Sequence, residues 1–290
     1  MIILIGAILF STKAILVKLA YRYDIDHLSL LCIRMAIAFP IYACILFFRK
    51  NKAKESTITS QEYMYIALFG VFGYYLASYF DFKGLQYISA GLERVILFLY
   101  PTIVLVLSAI FLKKRIQGIQ IAAIVLSYIG VALAYLGDIS IDNGQDLQQG
   151  GILIFLAAFT YAAYLVGSGW LIPRIGTLRF TSIAMMCASG YVIIHYMVVN
   201  RSLGGLLDYD PMVYTYGIAM AVVATVIPSF MVSEGIRRIG ANNAAIIGGI
   251  GPISTIVMGY FILGENFTAI QLLGTLLVIV GILMISLKGK

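Results

Sequence analysis

Charge is scarce in this 290-residue chain: Asp, Glu, Lys and Arg together make up 11%, against roughly 25% in soluble domains. A soluble helical protein of this size could not wet its surface with so few charges, and that class is excluded. Histidine is scarcer still. His27 and His195 are the only two, too few for a clustered-imidazole centre, so no metal is expected. The three cysteines, Cys32, Cys44 and Cys187, fall in apolar runs and read as small fillers rather than a disulfide or metal framework. No Gly-x-x-x-x-Gly-Lys-Ser/Thr loop occurs, which argues against ATP-driven pumping. Val166-Gly167-Ser168-Gly169 has Val where an intramembrane serine protease wants its first Gly, and Asp138 and Asp210 fall in loops rather than facing each other inside spans. Neither an enzyme nor a cofactor is expected.

What is abundant is apolar sequence, 61% of the chain. Runs of about 20 residues recur, the length that crosses a hydrocarbon core. Ten spans are expected: Ile2–Ala20, His27–Phe48, Glu62–Phe82, Gly91–Leu112, Gly118–Leu136, Gly150–Trp170, Leu178–Val199, Met212–Glu234, Ala241–Leu263 and Ala269–Leu287. In lipid each backbone group must bond within its own segment, and runs without strand alternation read as helices. The fold class is an all-α polytopic membrane protein whose partner is the lipid bilayer. The first run has no basic segment before it and no cleavage-site pattern, so it reads as a retained span rather than a signal peptide.

The chain also repeats itself. At an offset of 151 positions Ala90 falls on Ala241, Ile96 on Ile247, Pro101 on Pro252, Gln120 on Gln271 and Gly130 on Gly281. Ser78 with Ser229 and Gly84 with Gly235 hold the same register. Residues 1–137 and 150–290 are therefore expected to be two copies of a five-helix unit. The basic residues set the orientation. Arg49, Lys50, Lys52, Lys54, Lys113, Lys114, Arg115, Arg174, Arg179, Arg237, Arg238, Lys288 and Lys290 lie in the even loops and at the end of the chain. The odd loops hold Lys18, Arg22, Lys83, Arg94 and Arg201. The excess marks the even loops as cytoplasmic, with both termini on that side, and this accounts for the net charge of +7 without a nucleic-acid partner. The acidic loop with Asp138, Asp142 and Asp146 lies outside. Five spans is an odd number, so the second copy is inverted. Inverted repeats around a midplane site are a design of secondary transporters.

Here the sequence resembles a known family. Ala-Gly-Leu-Glu-Arg…Tyr-Pro at 90–101, Ala-Asn-Asn-Ala…Gly-Pro at 241–252 and Leu-Gly-Glu at 263–265 are similar to the drug/metabolite transporter superfamily, and most to its EamA-like ten-helix exporters of bacterial inner membranes. The resemblance implies export of small metabolites, amino acids or drugs by alternating access without ATP. Lys113-Lys114 stands where the second copy has Gly264-Glu265, and Leu9-Phe10-Ser11-Thr12 stands where the family often has Trp-Gly.

Ionisable residues within spans face protein or a water-filled cavity. Lys13, Arg34, Asp81, Glu93 and Arg94 form such a cluster in the expected outer half, two acids against three bases. It reads either as a structural ion-pair lattice or as a cavity wall in which Lys13 meets an anionic substrate group or carries a coupling proton. Tyr74, Ser78 and Asp81 share one face of the third span, and Glu93, Leu97 and Tyr100 one face of the fourth. Tyr161 and Tyr164 mark the sixth, and Asn243 opens the ninth. The candidate substrate-binding residues are Lys13, Tyr74, Ser78, Asp81, Glu93, Arg94, Tyr100, Tyr161, Tyr164 and Asn243. Pro101 and Pro252 are expected to bend spans four and nine at matched depths, and Gly248-x-x-Gly251 to admit a close neighbour. His195 is expected to hydrogen-bond structurally. A pore or scramblase on the same duplicated bundle, or a membrane protein that transports nothing, is the alternative.

Overall fold

The computed structural model describes residues 2–48, 58–112, 116–139, 145–248 and 251–287. Of the residues that set the orientation, Arg49, Lys50, Lys52, Lys54, Lys113, Lys114, Arg115, Asp142, Lys288 and Lys290 lie outside the described residues. Among the described residues the chain is helical, with no strand. By length and composition eight helices can cross a membrane: α1 Ile2–Tyr23, α2 His27–Phe48, α3 Ser60–Gly84, α4 Ala90–Phe111, α5 Gly118–Asp138, α6 Asp146–Ile175, α7 Thr177–Asn200 and α8 Pro211–Ala245. Two shorter apolar helices follow, α9 Gly251–Leu263 and α10 Ala269–Met284.

Short polar signals start and stop these helices. Asp26 accepts from the backbone N–H of Leu28 and Ser29 at the head of α2. Thr59 and Glu62 form a reciprocal capping box on α3, Ser89 accepts from Leu92 N–H on α4, and Asp210 accepts from Met212 N–H with Pro211 as the first residue of α8. Each satisfies donors that a helix leaves unpaired. Gly176 (φ 88°) closes α6 at a positive φ that glycine, lacking a Cβ, adopts without strain. α6 runs past Trp170 to Ile175, with Pro173 inside its final turn.

The largest departure from expectation concerns the ninth span. Its first residues continue α8 across a break at Gly240 (φ 79°, ψ 162°), and α9 begins at Gly251. Asp138 also differs. It belongs to the end of α5, not to an outer loop, and is buried. There it accepts from Ser89 Oγ (3.2 Å) and Gln271 Nε2 (3.0 Å).

The outside is apolar and the inside holds charges. Phe47, Phe48, Phe111, Val198 and Phe261 are exposed, while Arg34, Asp81, Glu93 and Arg94 are buried. Water-soluble proteins rarely bury such charges fully or expose so much contiguous apolar surface. The pattern fits a bundle whose solvent is hydrocarbon.

Glycines set the closest helix approaches. A methyl group added at Gly130 of α5 would lie 2.6 Å from the Gly274 carbonyl of α10, and one at Gly281 would lie 2.8 Å from the Ala123 carbonyl. Ala123 and Gly130 stand 151 positions before Gly274 and Gly281, so the two contacts exchange roles. A methyl at Gly84 would lie 2.6 Å from Ile154 Cδ1, and one at Gly235 would overlap Ile3. The same offset relates these two contacts. Two π-helical turns, Val71–Leu76 in α3 and Val222–Val226 in α8, also begin 151 positions apart.

Candidate functional site

Seven of the crossing or shorter helices line one cavity of about 90 Å³, room for about three water molecules at about 30 Å³ each. Phe10 and Lys13 reach it from α1, Arg34 from α2, and Tyr74, Ser78 and Asp81 from α3. Arg94, Leu97 and Tyr100 reach it from α4, Tyr161 from α6, and Thr225, Val232 and Ala245 from α8. Gly248 and Gly251 complete the wall.

One end is ionic. Lys13 Nζ lies 2.6 Å from Asp81 Oδ2 and 3.8 Å from Glu93 Oε1. Arg94 Nε lies 3.6 Å from Glu93 Oε2 and donates to Thr255 Oγ1 at 3.1 Å, while Arg94 Nη2 donates to the Phe10 carbonyl at 3.1 Å. Arg34 Nη2 donates to Ser78 Oγ at 2.7 Å, and its guanidinium lies 4.7 Å from the centre of the Phe82 ring. Charges taken out of water need such partners, because desolvation costs several kcal/mol per ion.

Part of the wall is aromatic. The Tyr100 and Tyr161 rings meet edge to face with centres 5.2 Å apart. Tyr100 Oη donates to the Ala245 carbonyl at 3.2 Å and occupies the notch left by the missing side chain of Gly248. The expected Gly248-x-x-Gly251 face therefore admits a tyrosine hydroxyl, and Gly251 stands against Ser11 Oγ, which donates to its carbonyl at 3.2 Å. Pro101 sits in the first turn of a helical segment that restarts at Tyr100, after α4 loosens at Phe98 (φ −72°, ψ 6°). The ring cannot donate to the preceding turn, and that break brings Tyr100 to the wall. Pro252 likewise follows the first residue of α9. Neither proline itself lines the cavity.

Seven of the ten candidate residues meet at this wall: Lys13, Tyr74, Ser78, Asp81, Arg94, Tyr100 and Tyr161. Two stand behind it. Glu93 is fully buried beside Arg94, and Tyr164 Oη lies 3.1 Å from Tyr74 Oη. Asn243 is apart from it, exposed, with Nδ2 donating to the Ile239 carbonyl at 3.0 Å. Arg34, a member of the expected ionic cluster though not of the ten, also lines the cavity, as do Phe10 and Thr225, which were not expected there. His195 lies 3.1 Å from Tyr75 Oη and outside the lining, as a structural histidine would. Among the described residues no group of three or more His, Cys, Asp or Glu could hold a metal ion.

Comparison with known proteins agrees with this architecture. The EamA-like transporter family matches residues 1–136 and 148–287. The chain is 32% identical over 275 residues to the uncharacterized transporter YcbK of Bacillus subtilis (strain 168), covering 94% of this chain and 87% of that protein. It is 27% identical over 274 residues to an uncharacterized transporter of Archaeoglobus fulgidus, covering 93% of each. A solved crystal structure shares the fold with a TM-score of 0.73 over 99% of this chain and 95% of that one, at 13% identity. A multi-pass apolar bundle closed around a partly charged cavity, and a family match spanning both halves of the sequence, lead to one assignment: the chain belongs to the EamA-like transporter family, membrane transporters of the drug/metabolite type.

Proposed function

We propose that this transporter is a secondary carrier that exports a small organic molecule across a bacterial inner membrane by alternating access. In this reading residues 1–137 and 150–290 are inverted five-helix repeats. The ten spans are α1 to α8 and α10, with α9 and the residues after Gly240 forming the ninth. Both termini face the cytoplasm.

The observation that carries the reading is the composition of the cavity wall. Phe10 and Tyr161, Tyr74 and Thr225, Asp81 and Val232, Arg94 and Ala245, Leu97 and Gly248, and Tyr100 and Gly251 all line it. Each pair is 151 positions apart. A cavity lined by equivalent positions of two copies fits a pseudo-two-fold axis through its centre, where inverted-repeat transporters hold their substrates. The exchanged contacts of Gly130 with Gly274 and Gly281 with Ala123 support the same axis, as a two-fold contact repeats itself with roles reversed. The matched π turns in α3 and α8 support it further.

Reconstituted protein tests this. Vesicles loaded with a metabolite panel should show saturable counterflow for at least one compound. Conductance that never saturates would instead favour a pore or scramblase on the same bundle.

A further inference from the structure

Three bases of the cluster, Arg34 and Arg94 buried and Lys13 partly so, share two acids, and the contacts decide which base is left over. Lys13 pairs with Asp81, and Arg94 with Glu93. Among the described residues Arg34 forms no ion pair, although it is only 2% exposed. Its Nη2 is held by Ser78, and its Nε is buried without a hydrogen-bond partner. A guanidinium stays charged at physiological pH and carries five donors in a fork that matches a carboxylate. Ser78 accepts from Arg34, so it keeps its own hydrogen to donate. Both residues line the cavity. A buried, under-bonded cation beside an open volume has the chemistry of an anion site.

The rest of the wall narrows the ligand. Lys13, Arg34 and Arg94 line the cavity against one acid, Asp81, which Lys13 already holds. Asp81 Oδ1 is buried without a hydrogen-bond partner, but the lining bases outnumber the lining acid three to one, and that balance opposes an ammonium group. Tyr100 and Tyr161 offer flat apolar faces to the same cavity.

We propose that the cavity selects a small organic monoanion. Arg34 and Ser78 bind its acid group, and Tyr100 and Tyr161 receive its apolar body. Amines and zwitterions are disfavoured. The proposal depends on the transporter reading only in naming this ligand as the cargo.

Isothermal titration of purified protein in chloride-free sulfate buffer tests it, with benzoate, its neutral isostere benzamide, benzylamine and phenylalanine as probes. Benzoate should bind at least about tenfold more tightly than benzamide, a difference of about 1.4 kcal/mol, and more tightly than the other two. Arg34→Gln should remove that preference while benzamide affinity stays constant. Arg34→Lys and Ser78→Ala should each reduce it, and they carry the test if Arg34→Gln does not fold. Equal binding of benzoate and benzamide would overturn the proposal. So would tighter binding of benzylamine or phenylalanine, or a preference unchanged in Arg34→Lys and Ser78→Ala. Chloride that displaces benzoate while acetate binds as well as benzoate would overturn the organic part. Benzoate that binds but is not carried into vesicles leaves the anion site standing and removes the transport reading. Saturable counterflow of an amine, without benzoate binding, does the reverse.

Discussion

Lys13 Nζ lies 2.6 Å from Asp81 Oδ2, and the pair joins α1 to α3 with the two side chains 12% and 2% exposed. Breaking such a pair leaves a charge in a medium that solvates it poorly, while removing both partners leaves none. Asp81→Asn is expected to cost about 3–5 kcal/mol, seen as a lower melting temperature in detergent. Lys13→Met combined with Asp81→Leu should recover most of it. A double variant as unstable as the single one would contradict this account.

The α5–α10 contact should tolerate no added carbon. Alanine at position 274 places its methyl 2.5 Å from Ala134 N and overlaps the Gly130 carbonyl, and backbone cannot swing aside as a side chain can. Gly274→Ala should destabilise by about 1–3 kcal/mol. Gly190→Ala on α7 meets nothing within 4 Å and should stabilise by about 0.5–1 kcal/mol. Thermal unfolding of the two variants side by side checks the contrast.

Asp26 links two loops and titrates accordingly. Tyr209 Oη donates to it at 3.2 Å, and Tyr209 Oη also lies 3.0 Å from Ser29 Oγ, tying the segment before α8 to the start of α2. Burial alone would raise the Asp26 carboxyl. Hydrogen bonds from the Ser29 hydroxyl, the Ser29 and Leu28 backbone and Tyr209 outweigh it and hold the group below its usual range. A folded pKa below the unfolded one gives stability that is fully present above the ordinary value of about 3.9 and lost as pH falls through the lower folded value. Melting temperatures taken from neutral pH down to about pH 3 should fall more steeply for the wild type than for Asp26→Asn.

Glu265 joins the two halves at the other end of the ionic cluster. Its carboxylate accepts from the backbone N–H of Ala90 (2.7 Å) and Gly91 (3.1 Å) at the head of α4, four residues before Arg94. Negative charge is favourable at a helix start. Glu265→Ala should cost about 0.5–2 kcal/mol as a lost cap. With the native cysteines replaced, it should also raise labelling of Ser78→Cys by a membrane-impermeant maleimide added to one side of the membrane. Unchanged labelling would make Glu265 a cap and nothing more.

Much of this arrangement is legible in the sequence. Lys13, Asp81 and Arg94 stand out because a charge in an apolar run has few reasons to be there. Tyr100 stands out because a proline follows it. Which base goes unpaired is not legible, since it depends on how α1 to α4 are rotated. When both lipid and core are apolar, a span carries little of the one-sided pattern that reveals a buried face in soluble helices. Asn243 fails for that reason, lying on the exposed side of a segment whose neighbours Ala244 and Ala245 line the cavity. Phe10 and Thr225 were within reach, standing 151 positions from Tyr161 and Tyr74, and the repeat register applied to each candidate would have named both. The break at Gly240 needed the backbone, because a glycine between two spans reads equally well as a loop.

Both ion pairs of the cavity, Lys13 with Asp81 and Arg94 with Glu93, join residues of the first half alone. Where the halves meet at this wall, the bonds are between uncharged acceptors and their donors: Ser11 to Gly251, Tyr100 to Ala245, Arg94 to Thr255. Among the described residues no cation–anion pair therefore spans the two halves at this wall; a pair that does join them, Arg174 Nε with Glu62 Oε1 at 2.8 Å, lies outside the lining. In the alternating-access reading proposed above, the charges of the cavity would travel together with the first half, and the second half would meet the cargo with uncharged side chains alone.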